Sequence, residues 1–177
     1  MIEQAIAFAT KAHEGQVRKG TDRPYIVHPI EVGEIVASMT DDEEVIAAAI
    51  LHDTIEDCEG VTAEVLRREF GNRVAFFVEQ ESEDKTKTWK ERKSATIEYL
   101  KTAPLELKYI GLADKLSNMR DINQDYPVCG EMLWQRFRMK DKEIIGWYYK
   151  GIMKSLESLK GMEAYEEYCQ LVMANFG

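Results

Sequence analysis

The segment VIAAAILHDTIED, residues 45–57, runs seven apolar residues into one imidazole and three carboxylates. Val45 to Leu51 is apolar all round, the composition of a helix enclosed by neighbours on every side. Acids at a helix C-terminus oppose the dipole and cost stability. A ligand site and a solvated helix end both fit this segment taken alone. If the helix continues, positions four apart stack, placing His52 over Glu56 and Asp53 over Asp57. His52 and Asp53, about 100° apart around the axis, can then flank one ion.

Helical periodicity extends in both directions from this segment. Thr40 followed by Asp41, Asp42 and Glu43 marks a helix start, with acids at the positive end of the dipole. Upstream, residues 2–13 form a first helix with Ile2, Ile6 and Ala9 on one face. A polar loop over 14–27 follows, and Pro29 suits the first turn of the next helix. Downstream, Thr62 caps 63–70 and Gly71 closes it. A short helix over 72–80, a polar connector and an amphipathic helix over 90–103 come next. Pro104 opens a helix over 105–122, residues 123–130 read as a loop, and helices finish the chain. With 4 prolines and 11 glycines in 177 residues, and no repeat or linker, the expectation is one all-α domain over 1–177.

Composition bounds the function. The chain is 45% hydrophobic and 31% charged, with a net charge of −9. An acidic balance argues against nucleic acid as partner but leaves room for a small anion held by a local cationic cluster or a metal. No apolar run approaches the ~20 residues of a membrane span. The N-terminus lacks a basic leader and reads as a helix, which points to the cytoplasm. Cys58, Cys129 and Cys169 are too scattered for a disulfide framework or a thiolate zinc site. Oligomeric state is not encoded in any of these features.

Two further polar residues stand in apolar surroundings. His28, in PYIVHPIEV, opens an apolar helix, where a lone histidine is more often a core or capping residue. Asp114, in IGLADKLSNM, interrupts an uncharged run, and a buried carboxylate needs a cation or dense hydrogen bonding. Pairing with Lys115 is the simple alternative, although sequence neighbours on a helix do not face each other. His28, His52, Asp53 and Asp114, from three helices, can cage one divalent ion. Mixed N/O ligation without thiolate suits Mn²⁺, Fe²⁺ or Zn²⁺. His13, near the end of the first helix, is read as structural.

The order His28, His52-Asp53, Asp114 resembles the HD phosphohydrolase superfamily. AHEGQVRKGTDRPYIVHPIEV, AAILHDTIED, FG and LADKLSNMRDI resemble the hydrolase domain of Rel/Spo alarmone enzymes. EDKTKTWKERK and WYYKGIMKSL are similar to its single-domain branch, the small alarmone hydrolases, and the resemblance is clearest over 1–160. It implies an all-α, single-domain HD-type helical bundle and Mn²⁺-dependent removal of the 3′-pyrophosphate from guanosine tetra- or pentaphosphate. It further implies His28, His52, Asp53 and Asp114 as metal ligands and Glu56 and Asp57 as the pair that activates water. Arg18, Lys19 and Asn118 match nucleotide contacts. An ion of this kind acidifies water and polarises a phosphoryl oxygen. An adenosine alarmone, a general nucleotidase activity and a silent nucleotide sensor are the competing expectations.

The remaining cationic stretch, SEDKTKTWKERK, carries Lys85, Lys87, Lys90, Arg92 and Lys93 around Trp89. Interleaved acids favour a solvated helix face, with at most a minor role at the mouth of the site. Trp147, Tyr148 and Tyr149 read as partly core.

Overall fold

The computed structural model describes residues 1–177. Its helices are α1 (Ile2–Ala12), α2 (Val27–Ala37), α3 (Glu43–Ile50), α4 (Thr54–Asp57), α5 (Ala63–Phe70), α6 (Asn72–Glu81), α7 (Trp89–Thr102), α8 (Leu105–Cys129), α9 (Lys142–Ser155) and α10 (Glu163–Phe176). Short 3₁₀ turns lie over Gly130–Arg136 and Glu157–Leu159. The all-α expectation holds, and no helix is long and apolar enough to cross a membrane.

α3 lies at the centre. It packs against α1, α2, α6 and α8, and every residue from Val45 to Leu51 is buried. Ala47, Ala48 and Ala49 have no side chain beyond Cβ, so neighbouring helices can close on all sides. On α2, a Cβ at Gly33 would sit 2.5 Å from Ile50 Cγ1, so the α2–α3 approach requires glycine there. α8 crosses the other side, against α2, α3 and α10. One apolar core joins residues from Ala5 to Val172. Burying it supplies the main driving force, since removing apolar surface from water is the dominant favourable term in folding.

Local signals set most helix ends. Asp42 caps α3 by accepting from Glu44 N–H, Thr62 caps α5 from Val65 N–H, and Asp141 caps α9 from Glu143 and Ile144 N–H. Gly71 closes α5 at φ 94°, a left-handed conformation that favours glycine. The start of α3 is Asp42 rather than Thr40, which instead accepts from Asp42 N–H.

Two expectations fail in instructive ways. Residues 123–130 are not a loop: α8 continues through Pro127 to Cys129. Proline removes a hydrogen bond there, but Tyr126 beside Trp134 and the packing of α8 on α10 outweigh that loss. The α3 helix does not run on through residue 57. It ends at Leu51, and a turn leads into the separate α4. The expected loop before α2 is present, and it is tied down: an antiparallel bridge joins Val17 and Pro24, with Arg18 N–H bonded to Arg23 O and Tyr25 N–H to Gln16 O.

Candidate metal centre and its cleft

The break after α3 is made by side chains. His52 Nδ1 lies 2.7 Å from Ala49 O, and Thr54 Oγ1 donates to Leu51 O at 2.8 Å. Both side chains reinforce carbonyls at the helix end that already accept the backbone N–H of the same residue, His52 and Thr54. A carbonyl only accepts, so His52 Nδ1 carries the proton and Nε2 points inward. On α2, His28 Nδ1 meets Ser117 Oγ at 2.8 Å, and Ser117 in turn donates to Glu31 Oε1 at 2.5 Å. Because the serine proton goes to the carboxylate, His28 Nδ1 must donate, and its Nε2 also points inward. Glu31 and Ser117 were not singled out from the sequence. The available signal was helical spacing: Glu31 lies three residues after His28, and Ser117 three after Asp114.

The two inward nitrogens face oxygens. His28 Nε2 is 3.0 Å from Asp114 Oδ1, and His52 Nε2 is 3.3 Å from the same oxygen. Asp53 Oδ2 lies 3.0 Å from His52 Nε2 and 3.7 Å from His28 Nε2. His28, His52 and Asp114 are buried, and their ligand atoms all lie within 4.8 Å of one another. Asp53 stands at the edge of this group, where Tyr25 OH donates to Oδ2. Tyr25, three residues before His28, is another member that sequence reading passed over. Lys115 also corrects an expectation: its Nζ does pair with Asp114 Oδ2. A long flexible stem lets it curl back where rigid neighbours could not.

These atoms fit a cation. With both Nδ1 protons donated outward, lone pairs and carboxylates converge with nothing positive between them, and His52 Nε2 is buried without a hydrogen-bond partner. Such a group must take up a proton or a metal ion. Burial opposes a charge on His52, but Asp53 and Asp114 outweigh it and hold the imidazole well above its usual range. For His28 burial wins, and it falls below that range. Burial disfavours ionised Asp114, yet Lys115 and the two imidazoles hold it well below the usual carboxylate range. Two imidazoles and carboxylate oxygen without thiolate match the mid-row divalent ions.

The cluster forms the floor of a cleft of about 660 Å³. Glu56, half-buried, and Asp57, exposed, both line it. Burial raises both carboxyls, with Asp57 and Glu83 adding to the effect on Glu56, and Asp53 to that on Asp57. Glu81 also lines the cleft, and burial pushes it up to about 7, against the pull of His52 and Lys115. Arg18 spans one wall, with Nη2 2.7 Å from Asp121 Oδ2 and 3.0 Å from Asn118 Oδ1. The structure therefore joins two residues that the family resemblance had marked as nucleotide contacts, and adds Asp121 as their partner. Lys19 is exposed at the rim. Beyond it, Asp125 Oδ2 holds both Arg23 and Arg136 at 2.7 Å. The opposite wall carries Lys85, Lys87, Arg92 and Lys93, so the cationic run is a cleft wall and not a wholly solvated face.

A helical bundle whose imidazoles and carboxylates converge on a cation-sized point beneath a polar cleft defines a protein built around a divalent-metal site. The chain belongs to the HD-domain family, whose model matches residues 5–134, in the branch that includes the MESH1 proteins. It is 34% identical over 167 residues to the Danio rerio guanosine-3′,5′-bis(diphosphate) 3′-pyrophosphohydrolase MESH1, covering 93% of this chain and 87% of that one. Among solved structures, a metazoan SpoT ortholog described as hydrolysing ppGpp superposes with a TM-score of 0.82 at 26% identity, over 98% of this chain and 94% of that one. The Listeria monocytogenes protein lmo0812 superposes with a TM-score of 0.77 at 34% identity, over 84% and 98%.

Proposed function

We propose that this chain hydrolyses the 3′-pyrophosphate of guanosine tetra- or pentaphosphate, giving GDP or GTP and pyrophosphate, with Mn²⁺ as the ion. The observation that carries this reading is the convergence of His28, His52 and Asp114 at the floor of a cleft that also holds an acidic pair and two cationic walls. The likeness to the MESH1 pyrophosphohydrolases supports the choice of substrate. His28, His52 and Asp114 would hold the ion, with Asp53 completing the set. When bound, the ion supplies Lewis acidity for the attacked phosphoryl group and lowers the pKa of water.

The remaining roles belong to the chain's own groups. Glu56 and Asp57 take the proton from the attacking water. Their raised carboxyls are better bases than ordinary ones, and such a base contributes roughly 10²–10⁴-fold. Arg18, oriented by Asp121 and Asn118, presents a planar cation to the nucleotide, and Lys19 adds charge at the rim. Lys115 steadies Asp114 from the side away from the imidazoles. We further propose that residues 1–177 form one HD hydrolase domain, a reading supported by the core that joins α1 to α10. A cytoplasmic setting fits three unpaired cysteines.

The test is direct. Metal-stripped protein is given Mn²⁺ and, separately, ppGpp, pppGpp, ppApp, dGTP and nucleoside monophosphates. Release of pyrophosphate from ppGpp and pppGpp only when Mn²⁺ is present is the expected result. Cleavage at the 5′ side, or of dGTP alone, would overturn the reading.

A further inference from the structure

Lys93 and Arg92, at the start of α7, have no part in the chemistry above, and their surroundings leave them under-neutralised. Lys93 Nζ holds Glu83 Oε1 at 2.7 Å. Arg92 reaches that same oxygen only at 4.0 Å; its side chain is 9% exposed, and its Nε is buried without a partner. Glu83 Oε2 is likewise buried and unpartnered. One carboxylate oxygen thus serves two cations while the other serves none. Burial and the charge of Lys115 hold Lys93 below the usual lysine range, as expected of crowded positive charge.

The position of this pair relative to the metal floor is defined through Tyr148. Lys93 Nζ lies 5.2 Å and Lys115 Nζ 5.7 Å from the centre of the Tyr148 ring. Lys115 pairs with Asp114, which faces both imidazoles. On the other side, Glu83 N–H donates to Glu56 Oε1 at 3.4 Å, so the backbone of the residue that occupies Lys93 lies against the acidic pair. From the floor outward the order is metal ligand, lysine, tyrosine ring, lysine and arginine. An anion with one centre at the floor needs a second, adjacent anionic centre to engage Lys93 and Arg92. A phosphoryl group offers several strong acceptor oxygens, where Glu83 applies only one, and arginine favours phosphate through paired N–H donors.

We propose that Lys93 and Arg92 form the receptor for the terminal phosphate of a diphosphoryl group, and so select a 3′-diphosphate over a 3′-monophosphate. Glu83 is the internal anion that the phosphate displaces. The proposal rests on the pyrophosphohydrolase reading above, and it concerns which part of the substrate this wall holds.

Calorimetry on the Mn²⁺-loaded protein, titrated with inorganic pyrophosphate and with orthophosphate in separate runs, gives the affinity ratio of the two anions. Pyrophosphate should bind at least about tenfold more tightly in the wild type, the effect of one charge-assisted contact. Lys93→Met and Arg92→Gln should each shrink that ratio, while Glu83→Gln should widen it by removing the competitor. A purely structural role would weaken both anions together and leave the ratio fixed. Thermal melts identify any variant that fails to fold, and the other two then decide. Equal affinities in the wild type, or a ratio unmoved in the folded variants, would overturn the proposal. The ratio of kcat/KM for guanosine 5′-diphosphate 3′-diphosphate over its 3′-monophosphate should fall in Lys93→Met. Wild-type protein inert on both nucleotides would sink the pyrophosphohydrolase reading, while the calorimetric ratio still judges the receptor. Full hydrolysis with an unmoved ratio would sink the receptor alone.

Discussion

His28, His52 and Asp114 reach the floor of the cleft from α2, from the turn after α3 and from α8, and each is held from behind. Arg18, Arg92 and Lys93 reach the walls from the bridged 16–25 loop and from the start of α7. The floor is an excess of acceptors with no cation of its own other than Lys115. The walls already hold internal carboxylates, Arg18 with Asp121 and Lys93 with Glu83, the latter shared with Arg92 only at 4.0 Å. A floor of this kind is built for one occupant and changes little when it arrives. A wall of this kind must exchange an internal carboxylate for a ligand, so the net gain per contact is smaller. Loss of a floor residue should therefore be nearly all-or-none, and loss of a wall residue graded.

The sharpest way to break this contrast is His52→Ala. It should abolish stoichiometric Mn²⁺ binding in a calorimetric titration and reduce turnover to background. Undiminished affinity would remove His52 from the floor. Next in size, Glu56→Gln and Asp57→Asn should keep their metal content, measured by elemental analysis, and lose roughly 10²–10⁴-fold in kcat. Wild-type kcat in either would make that acid a solvated helix end.

Ser117→Ala probes the support behind His28. It removes the acceptor that fixes the imidazole's Nδ1 proton, and outer partners of this kind are worth roughly 10–100-fold in metal affinity. An unchanged Kd would mean that Ser117 only fills space. The pH dependence of metal binding sharpens the same point. His52 must be neutral to ligate, and its carboxylate neighbours hold its proton to well above the usual imidazole range. Mn²⁺ affinity should therefore weaken as pH falls, and the weakening should begin above the pH at which a free imidazole titrates. A midpoint at or below the ordinary histidine value would show that the carboxylates do not act on His52.

Arg18→Ala should have the smallest effect, raising KM by about fivefold, near the ~1 kcal/mol low end for one such contact, while kcat changes less, as expected for uniform nucleotide binding. Part of the lost contact is offset because Arg18 no longer has to be released from Asp121. A collapse of kcat in that variant, with KM unchanged, would put Arg18 among the reacting groups and erase the distinction between floor and wall.

Much of this protein is legible in its sequence, because helices are local. Caps at Thr62 and Gly71, an apolar run at Val45–Leu51 and the periodicity around Asp114 all act within four residues, and each has its counterpart in the fold. His28, His52 and Asp114 stand out because a polar group in an apolar helix needs a partner, whatever the partner is. Tertiary structure alone decided who the partners are. Ser117 lies 89 residues from His28, and Asp121 lies 103 from Arg18. No spacing rule reaches that far, since such contacts follow from how α2, α3 and α8 pack. The same packing carried α8 through Pro127, where local propensity pointed the other way. It also turned Arg92 and Lys93 from a surface run into a cleft wall, because a charge pattern along one helix does not say which side the neighbouring helices will cover.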